Sequence, residues 1–130
     1  MKVLLPFHLN KVGAGFPSPA TDYIENDIDL NNHLIKNIPS TFLIRVQGKS
    51  MNKVGIHNDD LLIVDRSLNP KNFSTVVANV NEELVVKNFI RDKNQSFLTS
   101  GSKEIKDKIN LTENPEIVIW GVVTYVIHAV

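Results

Sequence analysis

A chain of 130 residues is long enough to bury one hydrophobic core and suits a single compact domain. Its hydrophobic fraction of 42% and charged fraction of 22% are ordinary for a globular protein. Fourteen basic residues balance fourteen acidic ones, so no overall field draws the chain to nucleic acid or an anionic membrane, and direct sequence-specific DNA binding is not expected. The absence of cysteine excludes disulfides, thiolate catalysis and cysteine-based zinc sites, and leans towards the cytoplasm.

No apolar run approaches the roughly 18 residues that span a membrane. The opening Met1–Phe7 has an apolar stretch of about five residues, short of the usual 7–15 of a secretory signal. Residues 1–21 hold three of the six prolines, Pro6, Pro17 and Pro19, and show no sustained periodicity. They read as an extended, flexible arm, with residues 22–130 as the folded domain. From Ile28 to Ile38 the apolar positions fit one face of a short helix, started by Asp27 or Asp29 and ended by Pro39.

The remainder reads as strands. Thr41–Gln47 alternates, with Phe42, Ile44 and Val46 on one face. Leu61–Val64 is continuously apolar, and Phe73–Val80 and Leu84–Ile90 flank Asn81-Glu82 as a hairpin flanks its turn. A short strand near Phe97–Thr99, a polar loop across Gly101–Asn110 and an apolar strand within Ile117–Val130 complete the chain. Many short strands with one helix predict a mostly antiparallel β fold with a rolled or barrel-like sheet.

Four histidines, His8, His33, His57 and His128, lack metal-ligand spacing, and no phosphate-binding glycine motif is present; no metal or cofactor is expected. Asp59-Asp60 and Glu82-Glu83 read as solvated turn charges. Ser50 is more informative. It stands in Gly48-Lys49-Ser50-Met51, directly after a strand, where a serine projects from a turn whose backbone N–H groups can form an oxyanion hole. Such serines on their own commonly do no more than cap or bend the chain.

Lys87 shares a strand face with Val85 and Phe89. A lysine there either snorkels its ammonium to water or is desolvated, and desolvation favours the neutral amine that can accept a serine proton. The rival arrangement, Ser50 with His57 and Asp59, crowds three residues into one turn.

These segments resemble the LexA/UmuD family of self-cleaving serine–lysine peptidases from about Gly13 to the C-terminus. Val46-Gln47-Gly48-Lys49-Ser50-Met51 is similar to the family's nucleophile motif, and Gly55–Asp65 to the stretch that follows it. Val85-Val86-Lys87-Asn88-Phe89 resembles the strand of the catalytic lysine, although Asn88 stands where a second basic residue is common. Gly15-Phe16-Pro17-Ser18-Pro19-Ala20 resembles the segment just after a family cleavage site. Thirty-seven positions separate Ser50 from Lys87 and thirty-six separate Ala14 from Ser50, both as the family pattern implies.

The resemblance implies a LexA- or signal-peptidase-like rolled sheet, with Ser50 as nucleophile and Lys87 as base. The Lys49 and Ser50 backbone would form the oxyanion hole, and the cut would fall between Ala14 and Gly15. The small residues of Val12-Gly13-Ala14 suit both this chemistry and that of signal peptidases. Only fourteen residues precede the cut, too few for a helix-turn-helix domain, so the UmuD branch is the nearer likeness. It implies cleavage stimulated by a RecA–single-stranded-DNA filament, a homodimer, and a UmuC-like error-prone polymerase as partner in SOS mutagenesis. The alternatives are a non-cleaving binding module and a repressor or anti-repressor fragment of the same family.

Overall fold

The computed structural model describes residues 2–8, 11–15, 24–101 and 108–130. They form two compact units, Met1–Lys36 and Asn37–Val130. The expected boundary after residue 21, and the Phe16–Ala20 segment, lie outside the described residues.

In the smaller unit, β1 (Leu4–His8) and β2 (Ile24–Asp29) pair antiparallel. The register runs from Leu4 opposite Asp29 to His8 opposite Ile24 and shifts between Leu5 and Phe7. Pro6, which has no N–H to give a ladder, stands at that irregularity. Ala14 and Gly15 lie in the connection between the two strands and are exposed.

Helix α1 covers only Leu30–Leu34, shorter than the Ile28–Ile38 expected from apolar spacing. Ile28 pairs with Leu5 in the hairpin instead, and Ile38 starts a 3-10 turn, Ile38–Ser40. The Asp29 side chain accepts from the Asn31 N–H at 3.1 Å, so the helix is capped after Ile28 has left it. Asn31 and Asn32 are weak helix formers, and Pro39 bars continuation.

Among the described residues, the larger unit holds one antiparallel sheet of seven strands. They are β3 (Thr41–Arg45), β4 (Leu61–Asp65), β5 (Thr75–Val80), β6 (Glu83–Asp92), β7 (Gln95–Thr99), β8 (Ile109–Asn110) and β9 (Val118–Ile127), in the order β3-β4-β9-β5-β6-β7-β8. Asn81 and Glu82 both take positive φ, 52° and 67°, as a two-residue type I′ hairpin turn requires. That turn fixes Val76 opposite Lys87 and Val77 opposite Val86.

Strand β5 is buried on both faces. Val77 joins Val46, Met51, Ile56, Leu62 and Val64 in one core cluster, while Val76 and Ala78 join Phe89, Leu98 and Val122 in the other. This is why Val76-Val77-Ala78 is apolar without alternation, between the polar Thr75 and Asn79. Strand β9 crosses the middle of the sheet with a register shift against each neighbour, opposite Ile63/Val64 and opposite Val77/Ala78. Bulges of this kind add twist and bend the strand that carries them.

Candidate active site

The loop that carries Ser50 is built by its backbone. Val46 extends β3 into a reciprocal pair with the facing turn: its N–H donates to the Asp60 carbonyl, and its carbonyl accepts from the Asp59 N–H, each at 2.8 Å. The chain then leaves the sheet at Gly48, whose φ of 103° suits glycine, and the Gly48 N–H donates to Asn58 Oδ1 at 2.8 Å. Ser50 sits exposed on the turn that follows, and Met51 plunges into the core at 3% exposure. A 3-10 turn, Asn52–Val54, closes on Gly55 in the left-handed region. An exposed serine is therefore mounted between two fixed points, the Val46 pairing and the Met51 anchor. Among the described residues, the N–H groups of Lys49 and Ser50 make no hydrogen bond, and neither does Ser50 Oγ.

Lys87 lies half-buried in the middle of β6. Its strand-face neighbours Val85 and Phe89 pack with the cluster of Val76, Ala78, Leu98 and Val122. Its Nζ donates to Ser100 Oγ at 2.7 Å. Ser100 was not singled out from sequence; a serine in a polar loop gives no periodic signal, and only the pairing of β6 with β7 brings it to Lys87.

Ser50 and Lys87 line a single cavity of about 340 Å³, with Val46, Met51, Val77 and Val86 among its apolar walls. Four inter-strand steps separate β3 from β6 in the sheet order, about 19 Å if the sheet were flat. That the end of β3 and the first half of β6 wall one cavity means the sheet is rolled, and the roll forms this candidate site.

The histidines make a separate arrangement. Asp60, expected as a solvated turn charge, is 2% exposed. It accepts from the His57 N–H at 2.8 Å, and its other oxygen lies 2.5 Å from His128 Nδ1. The His57 backbone N–H, and after it the His128 side chain, hold the Asp60 carboxyl below its usual range. The His57 and His128 rings stand 5.3 Å apart. Asp59, the carboxylate of the rival triad, is exposed at φ 70°, and its carbonyl accepts from Arg45. The carboxylate that the histidines meet is thus Asp60, and its partner is the C-terminal His128.

Asp65 is a second buried carboxylate that sequence spacing did not mark. It accepts from Asn37, from the Ser40 and Ser67 hydroxyls and from the Ser67 N–H, at 2.7–2.9 Å. The Asn37 and Ser67 hydrogen bonds hold its carboxyl far below the usual range. Its work is to tie the Ile38–Ser40 turn to the end of β4.

Residues 6–124, which include Ala14, Ser50 and Lys87, match the Peptidase S24-like family. The chain belongs to that family. Over 125 residues it is 42% identical to the protein ImpA of Salmonella typhimurium, covering 95% of this chain and 83% of that one. It is 36% identical to the protein MucA of Escherichia coli over 121 residues, 93% of this chain and 82% of that one. The LexA repressor of Hahella chejuensis is similar at 36% identity over 109 residues, which are 82% of this chain and 54% of the repressor. The family resemblance drawn from the motifs around Ser50 and Lys87 is confirmed, as is the mostly β fold of this S24-like peptidase.

Proposed function

We propose that this S24-like chain is a UmuD-type SOS mutagenesis protein that cuts its own Ala14–Gly15 bond, with Ser50 as nucleophile and Lys87 as base. The observation that carries the reading is the cavity shared by Ser50 and Lys87, two residues far apart in sequence, in a chain of this peptidase family.

The chemistry is that of a serine–lysine pair. The neutral Lys87 amine takes the Ser50 Oγ proton as the oxygen attacks the Ala14 carbonyl carbon. The Lys49 and Ser50 N–H groups face the developing oxyanion. The bond to the Gly15 nitrogen then breaks and that nitrogen takes the proton from Lys87, leaving an ester between Ser50 and Ala14. A water molecule, giving a proton to Lys87, attacks the ester carbonyl; Ser50 leaves and recovers its proton. Small residues on both sides of the bond let the chain approach the loop closely.

In this reading a RecA–single-stranded-DNA filament stimulates the cut in the cytoplasm. The processed homodimer then serves a UmuC-like polymerase in translesion synthesis. Similarity to ImpA and MucA supports that setting.

A second reading, a binding module that does not cleave, is favoured by one observation: Lys87 donates to Ser100, while Ser50 makes no hydrogen bond among the described residues. One experiment separates the two. Purified protein is incubated at alkaline pH, and separately with RecA filament, and a 14-residue peptide is sought by mass spectrometry. Wild type and His57→Ala release the peptide; Ser50→Ala and Lys87→Ala do not. A wild type that stays intact under both conditions sinks the protease reading.

A further inference from the structure

Three observations meet at the corner formed by Ser100 and Gly101. Lys87 Nζ donates to Ser100 Oγ at 2.7 Å. Ser100 directly follows Thr99, which is 2% exposed and pairs with Asn88, the neighbour of Lys87 in β6. The register of β6 with β7 therefore sets where the hydroxyl stands relative to the amine. Gly101, at φ 79°, lies so close to Val54 that a Cβ there would be 2.9 Å from Val54 Cγ1. Val54 ends the 3-10 turn that follows Ser50 and Met51. One corner thus touches the side chain of the base and the loop that bears the nucleophile.

We propose that Ser100 is a positioning residue for the Ser50–Lys87 pair: its hydroxyl oxygen holds the Lys87 amine, and Gly101 against Val54 sets the spacing between that amine and the Ser50 loop. This rests on the dyad reading above. A neutral primary amine has two N–H donors and one lone pair. If Ser100 Oγ accepts one N–H, the amine is oriented and its lone pair stays open to the Ser50 proton. Once protonated, Lys87 has three N–H donors and keeps the same bond. Ser100 gains and loses no proton through the cycle, which is why it positions and does not itself react. A lysine side chain unconstrained at its tip would spread over many rotamers, and misplacement of a reacting group by about 1 Å can cost as much as 100-fold in rate.

The test is the rate of self-cleavage at alkaline pH in the full chain, alongside thermal unfolding. Thr and Val have nearly the same shape but only Thr keeps the hydroxyl, so that pair separates the hydrogen bond from packing. Ser100→Ala and Ser100→Val should cleave on the order of tenfold more slowly than wild type, and Ser100→Thr within about threefold of it, at similar melting temperatures. Equal rates for the Thr and Val variants would overturn the proposal. So would a Ser100→Ala rate at or above wild type, which would make Ser100 a latch that withholds Lys87.

Gly101→Ala leaves the hydroxyl in place and tests the spacing by itself. It should slow cleavage, and Val54→Ala in the same chain should recover part of the rate; a wild-type rate in Gly101→Ala removes the spacing argument. Ser50→Ala and Lys87→Ala run beside these variants. If either of them still cuts, it is the dyad reading that fails, whatever the Ser100 variants do.

Discussion

Gly121 is where the roll of the sheet can be tested by a single methyl group. It stands in β9 opposite Val77, between the two register shifts. A Cβ added there would lie 2.5 Å from Val64 Cγ1, 3.4 Å from Arg66 Cγ and 3.6 Å from the Asp65 carbonyl oxygen. The Arg66 stem can move aside. Val64, fully buried in the core beneath the site, cannot move without disturbing Leu62 and Met51.

Overpacking of this kind costs about 1–3 kcal/mol, so Gly121→Ala should lower the unfolding free energy by that amount, read as a lower urea midpoint at an unchanged slope. For a chain of this size the melting temperature falls by about 3–5 °C for each kcal/mol. Val64→Ala on its own removes two buried methyl groups, at about 1–3 kcal/mol. In the double variant the new methyl occupies space the valine gave up. The double variant should therefore be more stable than the sum of the single effects implies, by about 1 kcal/mol or more. The reasoning is refuted if Gly121→Ala unfolds within about 0.5 kcal/mol of wild type, or if the two changes simply add.

Two further outcomes follow from the same geometry. Asp60 and Asp65 both have carboxyls held below their usual range, so each stabilises the fold above the unfolded-state value near pH 4, and that stability is lost as pH falls through the folded values. Melting temperature should fall steeply below about pH 4. Asp65→Asn should lose about 1–3 kcal/mol at pH 7 and show a shallower acid slope; an unchanged slope would refute the linkage.

Cutting at Ala14–Gly15 would remove the covalent link between β1 and β2 and leave their antiparallel ladder. A two-stranded hairpin is marginal in water, and the cut also forfeits the roughly millimolar effective concentration of a tethered strand. At micromolar protein the 14-residue peptide should separate on gel filtration, whereas co-elution would show that β1 holds by more than its ladder.

Much of the framework is legible in local sequence. The type I′ turn at Asn81-Glu82 follows from two polar residues between apolar runs, because only a tight primed turn matches the twist of the strands around it. Lys87 among Val85 and Phe89 follows from the two-residue period of a strand, and the core confirms that face. Ser50 after Gly48, with the motifs around it and Lys87 and the intervals that join Ala14, Ser50 and Lys87, was enough to choose the family. Local sequence misled at Ile28–Ile38, where apolar spacing suited a helix while Ile28 was needed across from Leu5. A period describes which residues share a face but carries nothing about a strand that arrives from elsewhere.

What only the tertiary structure decided is which distant groups meet. The hydroxyl on Lys87 comes from Ser100, the histidine on Asp60 from the far end of the chain, and two of the donors on Asp65 from Asn37 and Ser40, ahead of β3. None of these pairs has a spacing that a turn or a helix would repeat. They depend on the strand order and on the roll that brings the end of β3 to the start of β6, and both are set by packing across the whole sheet.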